Sequence, residues 1–475
     1  MNELYDIVFV GNTSIDKKKC INKKYVEVIG GSAFNSYCAT LKNKSKQNNK
    51  IYSNTYELEK FKEIDINKSE NKLNVFNIDE INNTCLSEIN SEISLDKGFS
   101  CSHLHISFRK GVNVESFLSG KIKFKTMSID VMIFSVYNYL DTIKKYANLI
   151  DFIFCNKKEY EILKDIKIKG IFIVTNENKP IELYYNDKKE IYYVPPINNK
   201  YIKSTTGAGD SFIGGFLSEY LISEDILQSI TNGISYSQLC LKSYTNQIFY
   251  KKKPKILKNI FKFPTHIVVI GPSCAGKSTL IKKLINSFDF YSHCDDLTVL
   301  KERVELDEGT LDKSLSKYYL DIDINDKKTK KLSNNSFKII DESLWKEVVK
   351  LLLNKCPQYS IIEFSRGIFS KDKDKRKEVY TPYIKMISES LIDGEYIVVF
   401  IDALYCKRLK RNIKRAKLGG HKVEDETFNT IYRFSNIPKT KNIVKMKSNY
   451  KIKKIIKKIG ERNGFKRSTK TNMGK

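Results

Sequence analysis

The pattern GPSCAGKS at residues 271–278 constrains the fold of this chain most, because it fits GxxxxGK[ST] and lies between two regular segments. The apolar run HIVVI at 266–270 predicts a buried strand before it, and residues 279–285 predict a helix after it. In such a unit the glycines let backbone N–H groups surround a phosphate, and the helix N-terminus adds positive potential. The sequence therefore predicts an α/β domain that holds a nucleotide phosphate at this loop.

Several residues of this loop are candidate nucleotide ligands. We expect Lys277 to reach the β- and γ-phosphates of ATP and Ser278 to ligate Mg²⁺, because an ammonium and a hydroxyl at these places meet the phosphate tail. The other candidates would contact the nucleotide through the loop and the first helical turn: Gly271, Ala275, Gly276 and Thr279.

Acidic residues follow predicted strands in the same half. Glu363 stands near the carboxyl end of the apolar run 359–364, where open α/β sheets bind ligands, and could hold Mg²⁺ or orient the attacking group. Asp295 and Asp296 follow a predicted short strand at 288–291 and could face an acceptor hydroxyl. An N-cap or a solvated turn is an equally good interpretation of that pair.

Arginines complete the candidate catalytic set of this half. Arg366 follows Glu363 by three residues and could contact a phosphate. Arg411 and Arg415 are four residues apart on a predicted helix, so both guanidinium groups share one face and suit a transferring phosphoryl group. A basic solvated helix is the alternative interpretation.

Residues 264–460 resemble the P-loop kinases of small metabolites, the group around adenylate, shikimate and gluconate kinases. The resemblance rests on GPSCAGKS, the IIEFSRG strand end and the RNIKR segment, which is similar to their arginine-bearing lid. It implies a parallel sheet with helices on both faces and Mg-ATP-dependent transfer of phosphate to a small metabolite or nucleotide. Arg433 would be a further lid arginine.

The first half contains a second candidate anion site, the segment TTGAGD at residues 205–210, which precedes the apolar helical run 211–217. Small residues at a helix N-terminus form an anion hole from backbone N–H groups. The carboxylate of Asp210 would lie beside the bound γ-phosphate, where it could accept the proton of an attacking hydroxyl. Taken alone, the segment could also be a tight turn.

Three further segments accompany it. GGSAFN at 30–35 follows a predicted strand and opens a helix, Gly11 starts a turn that contains Ser14 and Asp16, and NKKE at 156–159 follows another strand. In this order the elements resemble the ribokinase/PfkB family of sugar and nucleoside kinases, over residues 5–245.

The PfkB resemblance implies a ribokinase-like α/β domain and a set of residue roles. Asp210 would be the general base, and Gly207, Ala208 and Gly209 would form the anion hole. Asn156 and Glu159 would organise Mg²⁺ and the phosphates, and Asn232 would border the nucleotide. The acceptor would be held by these residues: Ser14, Asp16, Gly30, Gly31 and Asn35.

This half departs from the family pattern at two places. The family usually has an aspartate where Ser204 stands, and that position often helps to bind a monovalent cation, so Ser204 argues against potassium activation. The usual TxGxxG is replaced at 175–180, where Glu177 and Pro180 stand in place of both glycines. A non-catalytic sugar-binding module is therefore the alternative to an active kinase.

Charge divides the chain as sharply as the motifs do. Residues 1–250 contain 32 basic and 29 acidic residues, whereas 251–475 contain 51 and 26. We predict a kinase domain at 1–250, a basic linker at 251–263, a second kinase domain at 264–460 and a basic tail at 461–475. The excess of positive charge suits either Lys-rich solvated helices or a site for phosphorylated or nucleic-acid ligands; we expect no specific nucleic-acid binding.

Composition excludes several classes. No apolar run approaches the roughly 18–20 residues of a membrane span, the N-terminus lacks a signal-peptide pattern, and the 10 Cys include no CxxC pair. These features predict a cytoplasmic protein with reduced thiols. Cys101, His103 and His105 alternate along a predicted strand, which favours packing over a metal site.

We therefore expect a bifunctional kinase that uses ATP and Mg²⁺ in both halves and acts on small molecules, with a possible homodimer through the PfkB-like domain. One alternative is a single P-loop kinase that carries a non-catalytic PfkB-like domain. The other is a polynucleotide kinase whose basic half binds the phosphate backbone. The acceptor of either half does not follow from the sequence.

Overall fold

The computed structural model of this chain describes residues 4–41, 47–53, 74–89, 92–296, 298–299, 343–364, 368–369, 378–391, 395–418, 428–429, 435–436, 442–447 and 451–463. The chain divides into two units, Met1–Lys262 and Phe263–Lys475. Each unit is built on its own sheet.

Strands and helices alternate through the first unit, as its hydrophobic pattern predicts. Its elements are β1 Leu4–Val10, β2 Ser14–Lys19, β3 Tyr25–Gly30, α1 Ser32–Cys38, β4 Asn49–Tyr52, β5 Asn74–Asp79, β6 Thr84–Glu88, β7 Ser100–Phe108, α2 Val114–Leu118, β8 Lys123–Val131, α3 Leu140–Lys145, β9 Phe152–Asn156, α4 Lys157–Leu163, β10 Ile171–Thr175, β11 Ile181–Tyr185, β12 Lys188–Tyr193, α5 Ala208–Ser223, α6 Ile226–Leu241, α7 Ile248–Lys251 and β13 Phe261–Lys262.

A nine-stranded sheet forms the centre of this unit, in the order β13-β12-β11-β10-β9-β8-β7-β1-β4. The strands from β10 to β4 run parallel, and β11 to β13 continue as an antiparallel edge. Helices α1, α5 and α6 pack their apolar residues on one face, and α2, α3 and α4 cover the other. Burial of both faces explains why the central strands are nearly continuous apolar runs.

A separate four-stranded sheet, in the order β3-β2-β5-β6, forms what we call the lid sheet. Its strand β2 pairs antiparallel with β3 and parallel with β5. On β2 the side chains of Ser14, Asp16 and Lys18 are buried on one face, as the two-residue period of a strand requires. Ser14 and Asp16 were expected in a turn; they lie on this strand because the turn after β1 ends at residue 13.

The expected linker at 251–263 is wrong in its second part. Phe261–Lys262 pairs with β12 as the last strand of the first sheet, and Ile260 and Leu257 pack into the core beneath α6. The apolar residues between the lysines explain this difference, because they have a core to enter. Residues 251–262 therefore belong to the first unit, and Phe263 begins the second.

The second unit follows a simpler plan. Its elements are β14 His266–Ile270, α8 Lys277–Ser287, β15 Ser292–Asp295, α9 Ser343–Lys355, β16 Ser360–Glu363, β17 Ile368–Phe369, β18 Glu378–Val379, α10 Thr381–Ser390, β19 Tyr396–Asp402, α11 Tyr405–Lys417, β20 Ser435–Asn436, β21 Ile443–Lys447 and α12 Ile452–Asn463.

Five parallel strands form the main sheet of this unit, in the order β15-β16-β14-β19-β21, so that the first strand of the unit stands in the middle. The strand expected at 288–291 is wrong, because those residues form a turn and the strand begins at Ser292. Strand β14 is buried along its whole length, as its apolar run predicts.

Within the described ranges, no helix combines the length and apolar character that a membrane span requires.

Candidate active sites

Asp210 lies in the first turn of α5, three residues after the glycine that caps this helix. Gly207 adopts a left-handed conformation with φ 81°, and a Cβ there would come within 2.6 Å of Asn246 Oδ1. The buried Asn246 amide donates to Gly207 O at 3.1 Å and to Ser211 Oγ at 2.8 Å. Asn246 therefore holds the loop and the first helical turn together, at the place where the predicted anion hole of Gly207, Ala208 and Gly209 lies.

The predicted acceptor residues converge on Asp210 from two elements. Asn35 on α1 donates from Nδ2 to Asp210 Oδ2 at 2.9 Å. Asp16 lies close to Gly30, where a Cβ would come within 1.9 Å of Asp16 Oδ2, so only glycine leaves room for this carboxylate. Ser14 Oγ donates to Asp16 Oδ1 at 2.7 Å, which orients it.

Helix α1, which begins after the N-cap Gly31, carries Asn35 in its first turns. The chain from β3 through Gly31 into α1 thus supplies one side of the site, and β2 supplies the other. These two elements are joined by the antiparallel pairing of Ser14 with Gly30. The five residues to which the PfkB resemblance assigns the acceptor thus lie on adjoining parts of the fold.

Burial shifts both carboxylates toward the protonated form. It raises the pKa of Asp16 to about 6, against the opposing effects of Ser14 and Lys18 and with a smaller contribution from Asp210. It also raises the pKa of Asp210, while Arg109 opposes the rise. A carboxylate whose pKa is raised accepts a proton more readily, which suits a general base.

Arg109 is a site residue that the sequence interpretation missed. Its Nη2 lies 3.7 Å from Asp210 Oδ1 and also pairs with Asp130 Oδ2. Burial acts to raise the pKa of Asp130, but Arg109, His105 and Ser107 together outweigh this effect and lower it. His105 Nε2 lies 3.3 Å from Asp130 Oδ1 on the other side. The signal in the sequence was an arginine directly after the apolar run of β7, at the carboxyl edge of the sheet.

The Asn156–Glu159 motif forms a capping box at the start of α4. Asn156 Oδ1 accepts from the N–H groups of Lys158 and Glu159, and Glu159 Oε2 accepts from Asn156 N at 2.7 Å. Glu159 Oε1 accepts from Ile133 N at 3.0 Å, so the carboxylate also ties α4 to the end of β8. Burial raises the pKa of Glu159.

Glu159 also belongs to the charge cluster around Arg109, because it contributes, after Asp130 and Asp210, to the raised pKa of that guanidinium. Within the described ranges, no three His, Cys, Asp or Glu side chains converge to cage a metal. Mg²⁺ commonly binds proteins through one or two carboxylates together with substrate phosphates. The carboxylates of Glu159 and Asp210, which both contribute to the charge cluster around Arg109, fit such a role.

Two other predicted positions have structural contacts. Asn232 on α6 is buried and donates from Nδ2 to Gly215 O at 2.6 Å, which joins α6 to α5. His103 is held between Thr126 Oγ1 at 2.8 Å and Ser128 Oγ at 2.7 Å, and burial lowers its pKa to about 3. The histidines of β7 thus form part of a buried hydrogen-bonded row, as the packing interpretation predicted.

In the second unit, the glycine-rich loop closes on itself. Gly276 caps α8 with φ 109°, and Lys277, which is buried, donates from Nζ to Gly271 O at 2.9 Å. Ala275 is fully buried beneath the loop, whereas Ser278 and Thr279 are exposed at the helix start. The loop therefore places an ammonium and a hydroxyl next to each other at a helix N-terminus.

Glu363 ends β16 and faces Ser278, whose Oγ lies 3.4 Å from Glu363 Oε1. His293 Nε2 lies 3.3 Å from Glu363 Oε2, and this contact raises the pKa of His293. Asp295 caps the turn that follows it, because it accepts from Thr298 N and Thr298 Oγ1, both at 2.8 Å. Asp296 is fully buried. Of the two interpretations of this pair, the contacts of Asp295 match the N-cap.

The two predicted helix arginines differ in their surroundings. Arg411 donates from Nη1 to Cys274 O at 3.2 Å and to Ala275 O at 2.9 Å, so it braces the glycine-rich loop. Arg415, one turn later on α11, is exposed. Arg366 and Arg433 lie outside the described residues.

Comparison with known proteins identifies the first unit. The family model described as pfkB family carbohydrate kinase matches residues 14–252. This span contains Asp16, Gly30, Asn35, Asn156 and Asp210, which are the residues around the site.

Three solved kinase structures are similar to this chain over about half of its length. Adenosine kinase from Anopheles gambiae is 16% identical and covers 52% of this chain and 98% of its own, with a TM-score of 0.43. Ribokinase from Cryptococcus neoformans var. grubii serotype A, in complex with ADP, is 14% identical, with coverages of 52% and 96% and a TM-score of 0.42. The nucleoside kinase of Methanocaldococcus jannaschii is 19% identical, with coverages of 52% and 95% and a TM-score of 0.40.

Proposed function

Because the chain belongs to the pfkB family of carbohydrate kinases and is thus an ATP-dependent kinase, we propose that its first unit phosphorylates a hydroxyl of a sugar or nucleoside, with Asp210 as the general base. The observation that carries this proposal is the cluster at the start of α5. There Asn35 bonds Asp210 at 2.9 Å and Arg109 lies 3.7 Å away, beside the first turn of a 16-residue helix.

The proposed chemistry follows from these positions. Asp16 and Asn35 would hold the acceptor so that one hydroxyl faces Asp210, and Asp210 would take the proton of that hydroxyl as it attacks the γ-phosphate. The N–H groups at the start of α5 and the Arg109 guanidinium would stabilise the charge on the transferring phosphoryl group. When bound with ATP, Mg²⁺ supplies charge neutralisation between the phosphates, and Glu159 would contact it.

The test is phosphorylation of a panel of sugars and nucleosides by the full chain and by Asp210→Asn. We expect this variant to lose at least about 10²-fold in kcat with little change in acceptor affinity, because the base is lost and the shape is kept. Asp141→Asn is the matched control, since Asp141 is fully exposed on α3. Turnover by Asp210→Asn at the wild-type rate would refute Asp210 as the general base.

For the second unit we propose a P-loop kinase that acts on a small metabolite or nucleotide. Three contacts support this proposal: Lys277 reaches across its loop, Ser278 faces Glu363, and Arg411 braces the loop from α11. An ammonium, a hydroxyl, a carboxylate and a guanidinium around a helix N-terminus are what phosphoryl transfer requires.

The test of this second activity is ATP consumption by the full chain with nucleoside monophosphates and small hydroxylated acids. We expect Lys277→Ala to reduce ATP consumption at least about 10²-fold. The variant lacks the lysine of the GxxxxGK[ST] pattern, whose ammonium would contact the phosphates. Lys282→Ala, an exposed position on the same helix, is the control. If Lys277→Ala also abolishes sugar or nucleoside phosphorylation while the chain stays folded, the two activities are coupled or there is only one.

A further inference from the structure

Two charged side chains of the lid sheet contact residues 204–206, which come directly before the predicted anion hole of the first unit. Lys18, on β2, is only 3% exposed, and its Nζ donates to Tyr244 O at 2.7 Å and to Ser204 Oγ at 3.3 Å. A buried ammonium is costly unless oxygen acceptors surround it, so these contacts determine where the strand can lie. Lys18 therefore fixes the lid sheet to the start of the TTGAGD segment.

Glu80, in the turn after β5, holds the same segment from the other side. Its Oε1 accepts from Ser204 Oγ at 2.5 Å, Thr205 N at 3.0 Å, Thr206 N at 3.0 Å and Thr206 Oγ1 at 2.7 Å. Its Oε2 accepts from Ile21 N at 3.2 Å, within the lid hairpin. One carboxylate thus sets the backbone of the two residues that precede Gly207.

Ser204 connects the two charges. Its hydroxyl accepts from Lys18 and donates to Glu80, so ammonium, hydroxyl and carboxylate form a continuous polarised row. The backbone N–H groups that donate to Glu80 belong to Thr205 and Thr206, whereas the predicted anion hole begins at Gly207. The carboxylate therefore orients the backbone just before the anion hole, and the N–H groups of the hole itself can still bind phosphate.

The same lid strand carries an acceptor residue. Asp16 and Lys18 lie two residues apart on one face of β2, and both are buried. Strand β5 pairs with β2 along its length, and Lys19 and Asp79 are joined both by register and by an ion pair of 3.1 Å. The pairing of β2 with β5 therefore connects Asp16, through a short stretch of backbone, with Lys18 and with the turn that carries Glu80.

We propose that Lys18, Ser204 and Glu80 form a latch through which acceptor binding under the lid sheet sets the phosphate loop for ATP. These are positioning residues, since they act through the backbone of residues 205–206 and not on the reacting atoms. The proposal rests on the kinase function proposed for the first unit. It predicts that acceptor and ATP bind cooperatively, by a factor in the usual range of about 5–150.

The first measurement needs no acceptor and no turnover. Amide hydrogen exchange of the peptide that spans residues 203–212 is compared in the full chain, in Glu80→Ala and in the control Lys17→Met, whose side chain is exposed on the other face of β2. We expect exchange at Thr205 and Thr206 to rise about tenfold or more in Glu80→Ala, because hydrogen bonds to a charged acceptor are lost. Unchanged exchange, or an equal rise in Lys17→Met, would refute the latch even if the enzyme is active.

The second measurement separates positioning from mere stability. The KM for ATP is determined at low and at saturating acceptor, with adenosine and ribose as the acceptor probes. We expect saturation to lower KM at least about fivefold in the wild type and less than about twofold in Glu80→Ala, with Glu80→Gln intermediate because it keeps an acceptor oxygen. Coupling of wild-type size in Glu80→Ala would overturn the proposal.

Lys18→Ala gives an independent third arm, because it leaves a space lined by Ser204 Oγ and Tyr244 O. We expect methylammonium or ethylammonium chloride to restore the lost coupling, and tetramethylammonium chloride to fail because it has no N–H donor. Equal effects of all three salts would contradict the role of the Lys18 ammonium. If the wild type phosphorylates neither probe nor any other acceptor of the panel, the proposed function fails, and the exchange measurement alone decides the latch.

Discussion

The two glycine loops of this chain are both predicted to bind phosphate, but their polar partners come from different distances along the sequence. Both precede a helix, and both end in a glycine of positive φ, Gly207 before α5 and Gly276 before α8. The loop at α8 takes its cation from inside the motif, since Lys277 bonds Gly271 six residues earlier. The loop at α5 takes its polar partners from far along the chain, such as Asn35 and Arg109.

This difference explains how each loop can be recognised. A loop whose contacts are local is encoded by one short pattern, so GPSCAGKS is specific even without its neighbours. The TTGAGD segment is ambiguous by itself, because the groups that complete it come from β2, α1, β7 and the lid turn. Its function therefore depends on tertiary structure, and changes far from it in sequence should disturb it most.

The largest effect is expected from the two arginines that lie next to the loops, Arg109 beside the first loop and Arg411 beside the second. We expect Arg109→Gln to lower kcat for sugar or nucleoside phosphorylation by about 10²–10³-fold, because it removes a preorganised charge beside Asp210. Arg411→Gln should cost only about tenfold in the second activity, since Arg411 braces loop carbonyls. Steady-state kinetics of both variants measure this, with the exposed Lys110→Gln as control. Equal losses would mean that both arginines act in the same way.

A smaller effect, on stability, is expected from Asp16. Its pKa is raised from 3.8 to about 6, so the folded state binds the proton more tightly than the unfolded state does between these values. Stability of the first unit therefore falls as pH rises through this window, by up to about 3 kcal/mol, and the full loss persists above pH 6. Asp16→Asn removes this penalty, so it should stabilise the first unit at pH 7.5 while it weakens acceptor binding.

The measurement is chemical unfolding of the first unit at pH 7.5 and at pH 4, followed by pulse proteolysis. At pH 4 the wild-type carboxylate is largely protonated, so the gain from Asp16→Asn should shrink there. A variant that is less stable than the wild type at pH 7.5 would show that the Ser14 contact outweighs the burial of the charge.

The smallest effect concerns the excess charge of the second half. We expect short DNA and RNA oligonucleotides to bind the full chain at low salt with no sequence preference. This binding should weaken steeply toward a salt concentration of about 150 mM. Lysine supplies most of this charge, and it recognises little geometry. Binding tighter than the roughly 10⁻⁴–10⁻⁶ M of non-specific contacts, or phosphorylation of a 5′ end, would favour a polynucleotide kinase. Fluorescence anisotropy and a radiolabel transfer assay cover both outcomes.

Much of the fold could be predicted because its strands are buried on both faces. Strand β14, for example, has the predicted bounds His266–Ile270. Short segments of mixed character were harder. The strand at Ser292–Asp295 was placed four residues early, because the aromatic residues 288–291 that suggest a strand in fact pack as a turn against Phe263.

The two strand–loop–helix units, the family of the first half and the residues at each loop could be predicted from the residue order, since they depend on local periodicity and on glycine conformation. Which distant charges meet these loops depends on how the strands and helices pack. Arg109 reaches Asp210 because it follows the end of β7, close to the start of α5, and Glu80 reaches Thr206 from the turn after β5 of the lid sheet. Such contacts join residues about 100 or more positions apart, and no local pattern records them. Long-range pairing of buried charges is a property of packing, which the order of residues along the chain does not display.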